Sequence, residues 1–329
     1  MKTKFDSYCI NDVTDGCKYC VKGEKLVLFI TGKCSRSCEY CSLSNKRKNK
    51  DIIWANERLI KNSKYLIQEV KESNAKGAGI TGGDPLLVLE RTVKFIKLLK
   101  KHFGRRFHIH IYLPTDKVNE NNLKQLYNSG IDEIRFHPRN IKDLEKVKLA
   151  SKFWDKSNIG IELPLLPEKY KEIIQLIKNS EGFIGFVNLN ELEISDTNFN
   201  FITKNYKMNE DTYTVKSSKE TGLKILNYFK NSKLKIHLCT ARTKNLFQYK
   251  NRLKLHKILP YGYKTKEGTV KYFVMSIKRI NEKGYFVDKK NKRIILSEKL
   301  ANKLQRKYKI RLVEELPTFD STEIQSEDI

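Results

Sequence analysis

No stretch of the 329 residues approaches the roughly 18 consecutive apolar side chains that a membrane-spanning helix requires. The opening segment, Met1 to Asp15, also lacks the apolar core of a secretory signal. Both absences argue against membrane and secreted classes, so the expected location is the cytoplasm. The seven cysteines should then stay reduced, and their odd number suits metal-ligating thiols better than disulfides. No internal repeat is found. Acidic residues are scarce: 38 Asp plus Glu face 65 Lys plus Arg, a net charge of +27. The deficit is uneven, at +10 over residues 1–199, +23 over 200–312 and −6 over 313–329.

What the chain does carry is concentrated after the apolar stretch Leu26 to Thr31. Cys34, Cys38 and Cys41 fall in the run Thr31-Gly-Lys-Cys-Ser-Arg-Ser-Cys-Glu-Tyr-Cys. A 4Fe-4S cluster ordinarily takes four cysteines, so three thiolates at this spacing leave one iron open to a small molecule. A zinc site or three buried thiols are the competing readings of the spacing. About forty residues on, Gly77 to Thr81 reads as a short buried strand running into Gly82, Gly83, Asp84 and Pro85. Paired glycines at a strand end let a ligand approach bare backbone, although an ordinary turn uses the same residues.

The middle of the chain alternates strand-like and helix-like segments. Strands are expected at Gly77 to Thr81, Phe107 to Leu113, Asp132 to Phe136, Ile159 to Leu163, Gly185 to Asn190 and Lys233 to Cys239, with the Leu26 segment before them. Helical periodicity fills the intervals, as in Leu59, Ile60, Leu66, Ile67 and Val70, so parallel crossover connections follow. His110, Arg135, His137, Glu162, Asn188, Asn190 and Glu191 fall at or just beyond carboxyl ends of these strands. A polar side chain turned into a barrel must be hydrogen-bonded or lose about 1–3 kcal/mol. Glu162 and the Asn188-Leu-Asn-Glu-Leu-Glu run are the strongest of these candidates for contact with cofactor or substrate.

Cys-x3-Cys-x2-Cys after one strand, Tyr40 before the last cysteine, and Thr81-Gly-Gly-Asp-Pro after the next strand together resemble the radical S-adenosylmethionine (radical SAM) superfamily, over about Lys25 to Cys239. The resemblance implies that Cys34, Cys38 and Cys41 hold a 4Fe-4S cluster whose open iron is chelated by S-adenosylmethionine (SAM). It implies that Tyr40 packs near the adenine and that Gly82, Gly83 and Asp84 receive the methionine amino group. Asp84 stands where a glutamate is more usual. An electron donor to the cluster is implied as well. The whole chain is most similar to an archaeal group related to pyruvate formate-lyase activating enzymes, through motifs that include Gly16-Cys-Lys-Tyr-Cys and Asp132-Glu-Ile-Arg-Phe-His-Pro. The expected fold is thus α/β, a partial (β/α)6-type radical SAM barrel at residues 25–240.

Two appendages frame the barrel. A head at 1–24 carries Cys9, Cys17 and Cys20 and is too short to build a core, so a metal would supply its stability. With Cys239 as fourth ligand, a second cluster and a zinc ion both fit, and His237 is a reserve ligand. A small basic α+β module is expected at 241–318, and a mobile acidic tail at 319–329. In the basic region, Phe247, Tyr249, Tyr261, Tyr263, Tyr272, Phe273 and Tyr285 interleave with lysine and arginine, the mixture expected where phosphates are neutralised and bases stack. The leading expectation is hydrogen abstraction from an anionic substrate, RNA or a phosphorylated metabolite. The alternatives are an activase that installs a glycyl radical on a partner protein and a non-catalytic zinc protein that binds RNA. Oligomeric state is not legible.

Overall fold

A computed structural model of the chain describes residues 1–210, 212–277 and 280–329. Seven strands, Lys25–Phe29, Gly77–Thr81, His108–Pro114, Glu133–His137, Ile159–Pro164, Phe186–Asn190 and Lys235–Cys239, lie side by side in chain order and pair in parallel. Helices fill the crossovers, among them Ser63–Glu72, Leu89–Phe103, Glu120–Ser129, Tyr170–Ser180 and Ser218–Tyr228. Asn62 and Asn119 start two of them by accepting hydrogen bonds from backbone N–H groups of the first turn.

The period-2 alternation divides the sheet chemically. Leu26, Leu28, Ile80, Ile109, Ile111, Ile134, Phe136, Ile161, Val187, Leu189 and Leu238 face outward and merge with Leu66, Ile96, Leu123, Ile177 and Ile225 of the helices into one core. Each such burial contributes about 1.5–3 kcal/mol. The other set, Lys25, His108, His110, Tyr112, Glu133, Arg135, His137, Glu162, Asn188, Asn190, His237 and Cys239, shares the opposite, inner face. Packing of the apolar set onto the helices therefore forces the polar set inward.

The sheet stays open. Tyr8–Ile10 adds an antiparallel strand at the Lys235–Cys239 edge, and the short strands Trp54–Ala55 and Arg58–Leu59 add to the other edge. The segment after the last parallel strand, a π-helical turn at Thr243–Tyr249 continued by an α-helix at Lys250–Leu255, runs between them. It touches the head through Asn251 Nδ2, which donates to the Val21 carbonyl at 2.8 Å, and the far edge through Arg252, which pairs with Glu57. Among the described residues, no helix is long and apolar enough to cross a membrane.

A second, antiparallel sheet of six strands follows, with Val270–Ser276 at its centre and the helix Glu298–Leu304 against it. Thr269 to Arg279 reads in the sequence as one strand; the strand observed there is Val270–Ser276, and Arg279 lies outside the described residues. The acidic end, expected to be mobile, instead forms the strand Glu323–Asp328 along Arg311–Glu315. An unpaired sheet edge offers a ladder of donors and acceptors, and Arg311 and Lys309 complement the acidic side chains. The aromatic residues expected to stack on bases are largely consumed by packing. Tyr272 is buried, Phe273 and Tyr285 pack on the apolar cluster beneath the helix, and Phe247 packs on Phe5. Tyr249, Tyr261 and Tyr263 remain exposed. Some of the basic charge is paired, as in Arg293 with Asp288 and Glu315 and Lys303 with Glu282.

Candidate active site at the barrel mouth

The cysteine loop leaves the carboxyl end of Lys25–Phe29 and is held over the sheet by its neighbours. Arg36, almost fully buried, donates from Nη1 to the His137 carbonyl and from Nη2 to Thr115 Oγ1, both at 2.7 Å, and pairs through Nε with Asp116. On the other flank Thr197 Oγ1 donates to the Cys41 carbonyl at 2.9 Å, and Asn198 Nδ2 donates to the Tyr40 carbonyl at 3.1 Å. Cys34, Cys38 and Cys41 are free thiols of intermediate exposure, and all three line a cavity of about 530 Å³. Burial pushes the Cys34 thiol up.

The Gly82–Asp84 segment is seated against that loop. Gly83 N–H donates to the Thr31 carbonyl and Asp84 N–H to the Lys33 carbonyl, both at 2.8 Å. The approach leaves no room for side chains. A Cβ on Gly83 would stand 2.1 Å from the Lys33 carbonyl oxygen, and one on Gly82, whose φ is +140°, 2.3 Å from the Thr31 oxygen. The carboxylate of Asp84 is fully buried and turned to the protein: Oδ1 accepts from Leu86 N–H at 3.0 Å and Oδ2 from Ser35 Oγ at 2.9 Å. Burial raises this carboxyl, and the two hydrogen bonds oppose the rise only in part. Asp84 thus ties the strand end to the residue after Cys34.

Below the mouth, Arg135 organises the inner face. Its Nε donates to Glu133, Nη1 to Tyr112 OH and to Glu162 Oε2 at 3.1 Å each, and Nη2 to Thr14 Oγ1 at 3.2 Å and Cys17 Sγ at 3.4 Å. Burial alone would raise Glu133, but Arg135 with His108 and Lys25 outweighs it and holds the carboxyl below the usual range. Glu162 also accepts from Asn188 Nδ2 at 3.2 Å and Asn190 Nδ2 at 2.8 Å. Lys25 is lowered to about 8 by burial, yet its ammonium already donates to the Ala78 and His108 carbonyls and to His108 Nδ1. Its role is to hold the floor of the cavity.

The sequence candidates fall into distinct places. Tyr40, His110, Glu162 and Asn190 line the cavity together with the three cysteines. Tyr40 OH lies 2.9 Å from His137 Nε2, a hydrogen bond whose donor is set by the tautomer of the imidazole, which burial lowers to about 4 and so keeps neutral. His110 is the third residue of His108–Pro114, in mid-strand and not at its carboxyl end. Its Nδ1 is buried without a partner. Asn188 is likewise in mid-strand, buried beneath Glu162. Glu191 also borders the cavity, with its Oε2 accepting from Ala241 N–H at 2.8 Å. Sequence reading missed Arg36, Thr197 and Asn198, whose partners are backbone carbonyls far away in the chain. It also missed Tyr112, although the alternation His108-Ile-His-Ile-Tyr places it on the face of His110.

The head enters the barrel from the inside. Thr14 caps the helix Asp15–Val21, and Gly16 presses so closely that a Cβ there would meet Arg135, Glu133 and His110 within 3 Å. Gly16 N–H donates to Glu133 Oε2 at 3.2 Å. Cys17, Cys20 and Cys239 come to one end of the inner face, whereas Cys9 lies on the edge strand opposite His237.

The residues present fit a three-thiolate cluster and a ligand laid on backbone: three free thiols at one mouth, with Gly82 and Gly83 lining the same cavity. Residues 28–180 match the model of the radical SAM superfamily. A protein of Methanocaldococcus jannaschii, provisionally named a glycyl-radical enzyme activating enzyme, is 44% identical over 252 residues, covering 73% of this chain. The match spans 66% of that relative, just under two thirds of its length. Among solved structures, a radical SAM methyltransferase of Kitasatospora setae with cobalamin and a 4Fe-4S cluster matches with a TM-score of 0.39 and 10% identity, over 58% of this chain and 42% of its own. The radical SAM coproporphyrinogen III oxidase of Escherichia coli matches with a TM-score of 0.41 and 12% identity, over 68% and 57%. By its domain and its archaeal relative, the chain belongs to the radical SAM superfamily, whose cofactors are a 4Fe-4S cluster and SAM.

Proposed function

We propose that this chain is an activase that takes a hydrogen atom from a glycyl segment of a partner protein. The observation that carries the enzymatic reading is the meeting of three free thiols and the Gly82–Gly83 segment at one cavity mouth. The choice of a protein substrate follows the name of the 44% identical archaeal relative. The RNA reading is weakened because Phe247, Tyr272, Phe273 and Tyr285, four of the seven interleaved aromatics, are packed.

Cys34, Cys38 and Cys41 would hold the cluster, and the backbone of Gly82–Asp84 would receive the amino end of SAM. When bound, these groups supply one-electron cleavage of a sulfonium carbon–sulfur bond and abstraction of a hydrogen atom. The chain's own part is positioning. Arg36, Thr197 and Asn198 fix the cysteine loop, Tyr40 with His137 walls one side, and Glu162, oriented by Arg135 and Asn190, presents a carboxylate into the cavity. Such a carboxylate accepts hydrogen bonds from peptide N–H groups of an entering loop. Holding reacting groups in place is itself a large part of the rate.

The test uses the full chain, reconstituted without oxygen and reduced in the presence of SAM. 5′-Deoxyadenosine and methionine should form. With a glycyl-radical protein from the same genome, a glycine-centred radical should appear by electron paramagnetic resonance. SAM cleavage without any such radical would overturn the activase reading alone. Zinc at Cys34, Cys38 and Cys41, with no 5′-deoxyadenosine, would overturn the enzymatic one.

A further inference from the structure

We propose that Cys17, Cys20 and Cys239 are ligands of a second iron–sulfur cluster, built inside the barrel between the head and the last parallel strand. Cys17 and Cys20 are three residues apart on the helix Asp15–Val21 and so project from the same side. Cys17 Sγ reaches Asn188 Oδ1 at 3.6 Å. Asn188 lies across from His237, and Asn190 across from Cys239, all on the inner face. Cys239 is thus brought to the helix by sheet register, more than 200 residues away in sequence.

Three further observations point to a ligand. Two N–H donors are already aimed at the sulfurs, Arg135 Nη2 at Cys17 Sγ (3.4 Å) and Gln248 Nε2 at Cys239 Sγ (3.5 Å). Donors of this kind stabilise thiolate ligands and tune cluster potential. His237 Nδ1, on the same inner face two residues before Cys239, is buried without a partner. The head itself offers only a three-residue strand and a seven-residue helix, with no core cluster of its own, so a metal tie would fix its place.

The spacing of the thiols does not suit a single tetrahedral ion. Among the described residues, the one trio of His, Cys, Asp or Glu whose ligand atoms all lie within 4.8 Å of one another is Glu69, Glu72 and His256, and there Arg58 already bridges the two carboxylates. The three sulfurs are therefore spread more widely than those around one tetrahedral zinc, which at Zn–S distances of about 2.3 Å sit about 3.8 Å apart. Cys20 lines the same cavity as Cys34, Cys38 and Cys41, which turns the second centre toward the space where substrate would enter. Cys9, opposite His237 on the edge strand, lies one strand further out than Cys239 and is not needed for the three-thiol set.

The test separates the two sites by removing the first. The full chain with Cys34→Ala, Cys38→Ala and Cys41→Ala combined is produced and reconstituted with iron and sulfide under anaerobic conditions. It should retain about four iron and four sulfide per chain, against about eight of each in the unaltered protein. Adding Cys17→Ser, Cys20→Ser or Cys239→Ser should remove most of the remaining iron, while adding Cys9→Ala should not. Circular dichroism checks that each variant folds, and Mössbauer spectra of the unaltered protein, which should show two cluster signals, serve if a serine variant does not. A folded triple variant without iron would overturn the proposal. So would retention of one zinc per chain, or iron that persists without Cys17, Cys20 and Cys239. Failure of SAM cleavage in the unaltered, iron-loaded protein would concern the first site only.

Discussion

Substitution of Asp84 distinguishes a side chain that builds the site from one that meets the ligand. Its two oxygens accept from Leu86 N–H at 3.0 Å and Ser35 Oγ at 2.9 Å, with no surface exposed. In Asp84→Asn one oxygen still caps Leu86, and the Ser35 hydroxyl can turn to accept from the new amide. The cost should stay within about 1 kcal/mol. Asp84→Ala removes the cap, and the hydroxyl it frees belongs to exposed Ser35 and can turn to water, so about 1–2 kcal/mol is expected. The pH dependence has a definite sign. Burial raises the folded carboxyl above its ordinary value of 3.8, so the folded state holds the proton more tightly than the unfolded chain. The associated stability is full below 3.8 and is lost as pH rises through the folded value. Asp84→Asn should therefore gain on the unaltered protein from acid toward neutral pH. Chemical unfolding measures stability, iron content reports the cysteine loop, and calorimetry gives SAM affinity, which should change less than about threefold. A tenfold loss of affinity, about 1.4 kcal/mol, with iron and stability unchanged would refute this reasoning and place the carboxylate on the ligand.

Other residues give sharper or broader effects. Gly83→Ala should cost more than half of the iron at Cys34, Cys38 and Cys41 while the barrel still folds, because the new Cβ would lie 2.1 Å from the Lys33 carbonyl oxygen; normal iron content would contradict it. Arg135→Met leaves Glu133 as an unpaired buried charge and should cost about 3–5 kcal/mol, of which adding Glu133→Gln should restore a large part. Strict additivity of the two would rule out the pairing. Asp51 is lowered to about 2 by Arg91 and by the Thr31 hydroxyl, so its contribution is present above the ordinary value of 3.8 and lost as pH falls toward 2. Asp51→Asn should accordingly flatten acid unfolding in that window, and an unchanged acid limb would contradict the assignment.

What the sequence determined by itself was local in origin. Cys34, Cys38 and Cys41 are seven residues apart at most, and Gly82–Asp84 follows its strand directly, so covalent spacing alone assembles each half of the mouth. The alternation of apolar and polar residues gave the strands and the inward-facing set, because only one face of each strand can join the helical core. Tertiary structure decided which of those groups meet. Sheet register carried Cys239 to Cys17 and Cys20 and left Cys9 at the edge. It also spent Asp84 on Ser35 and Glu191 on Ala241, and closed the cysteine loop with Arg36, Thr197 and Asn198. These bonds join residues tens to more than a hundred positions apart. Packing consumed Tyr272 and Phe273, which had looked like a surface for bases, and an open edge ordered the acidic end. Composition records how many charged and aromatic groups a chain has, but whether they face solvent, core or one another is settled only when distant strands are brought into register.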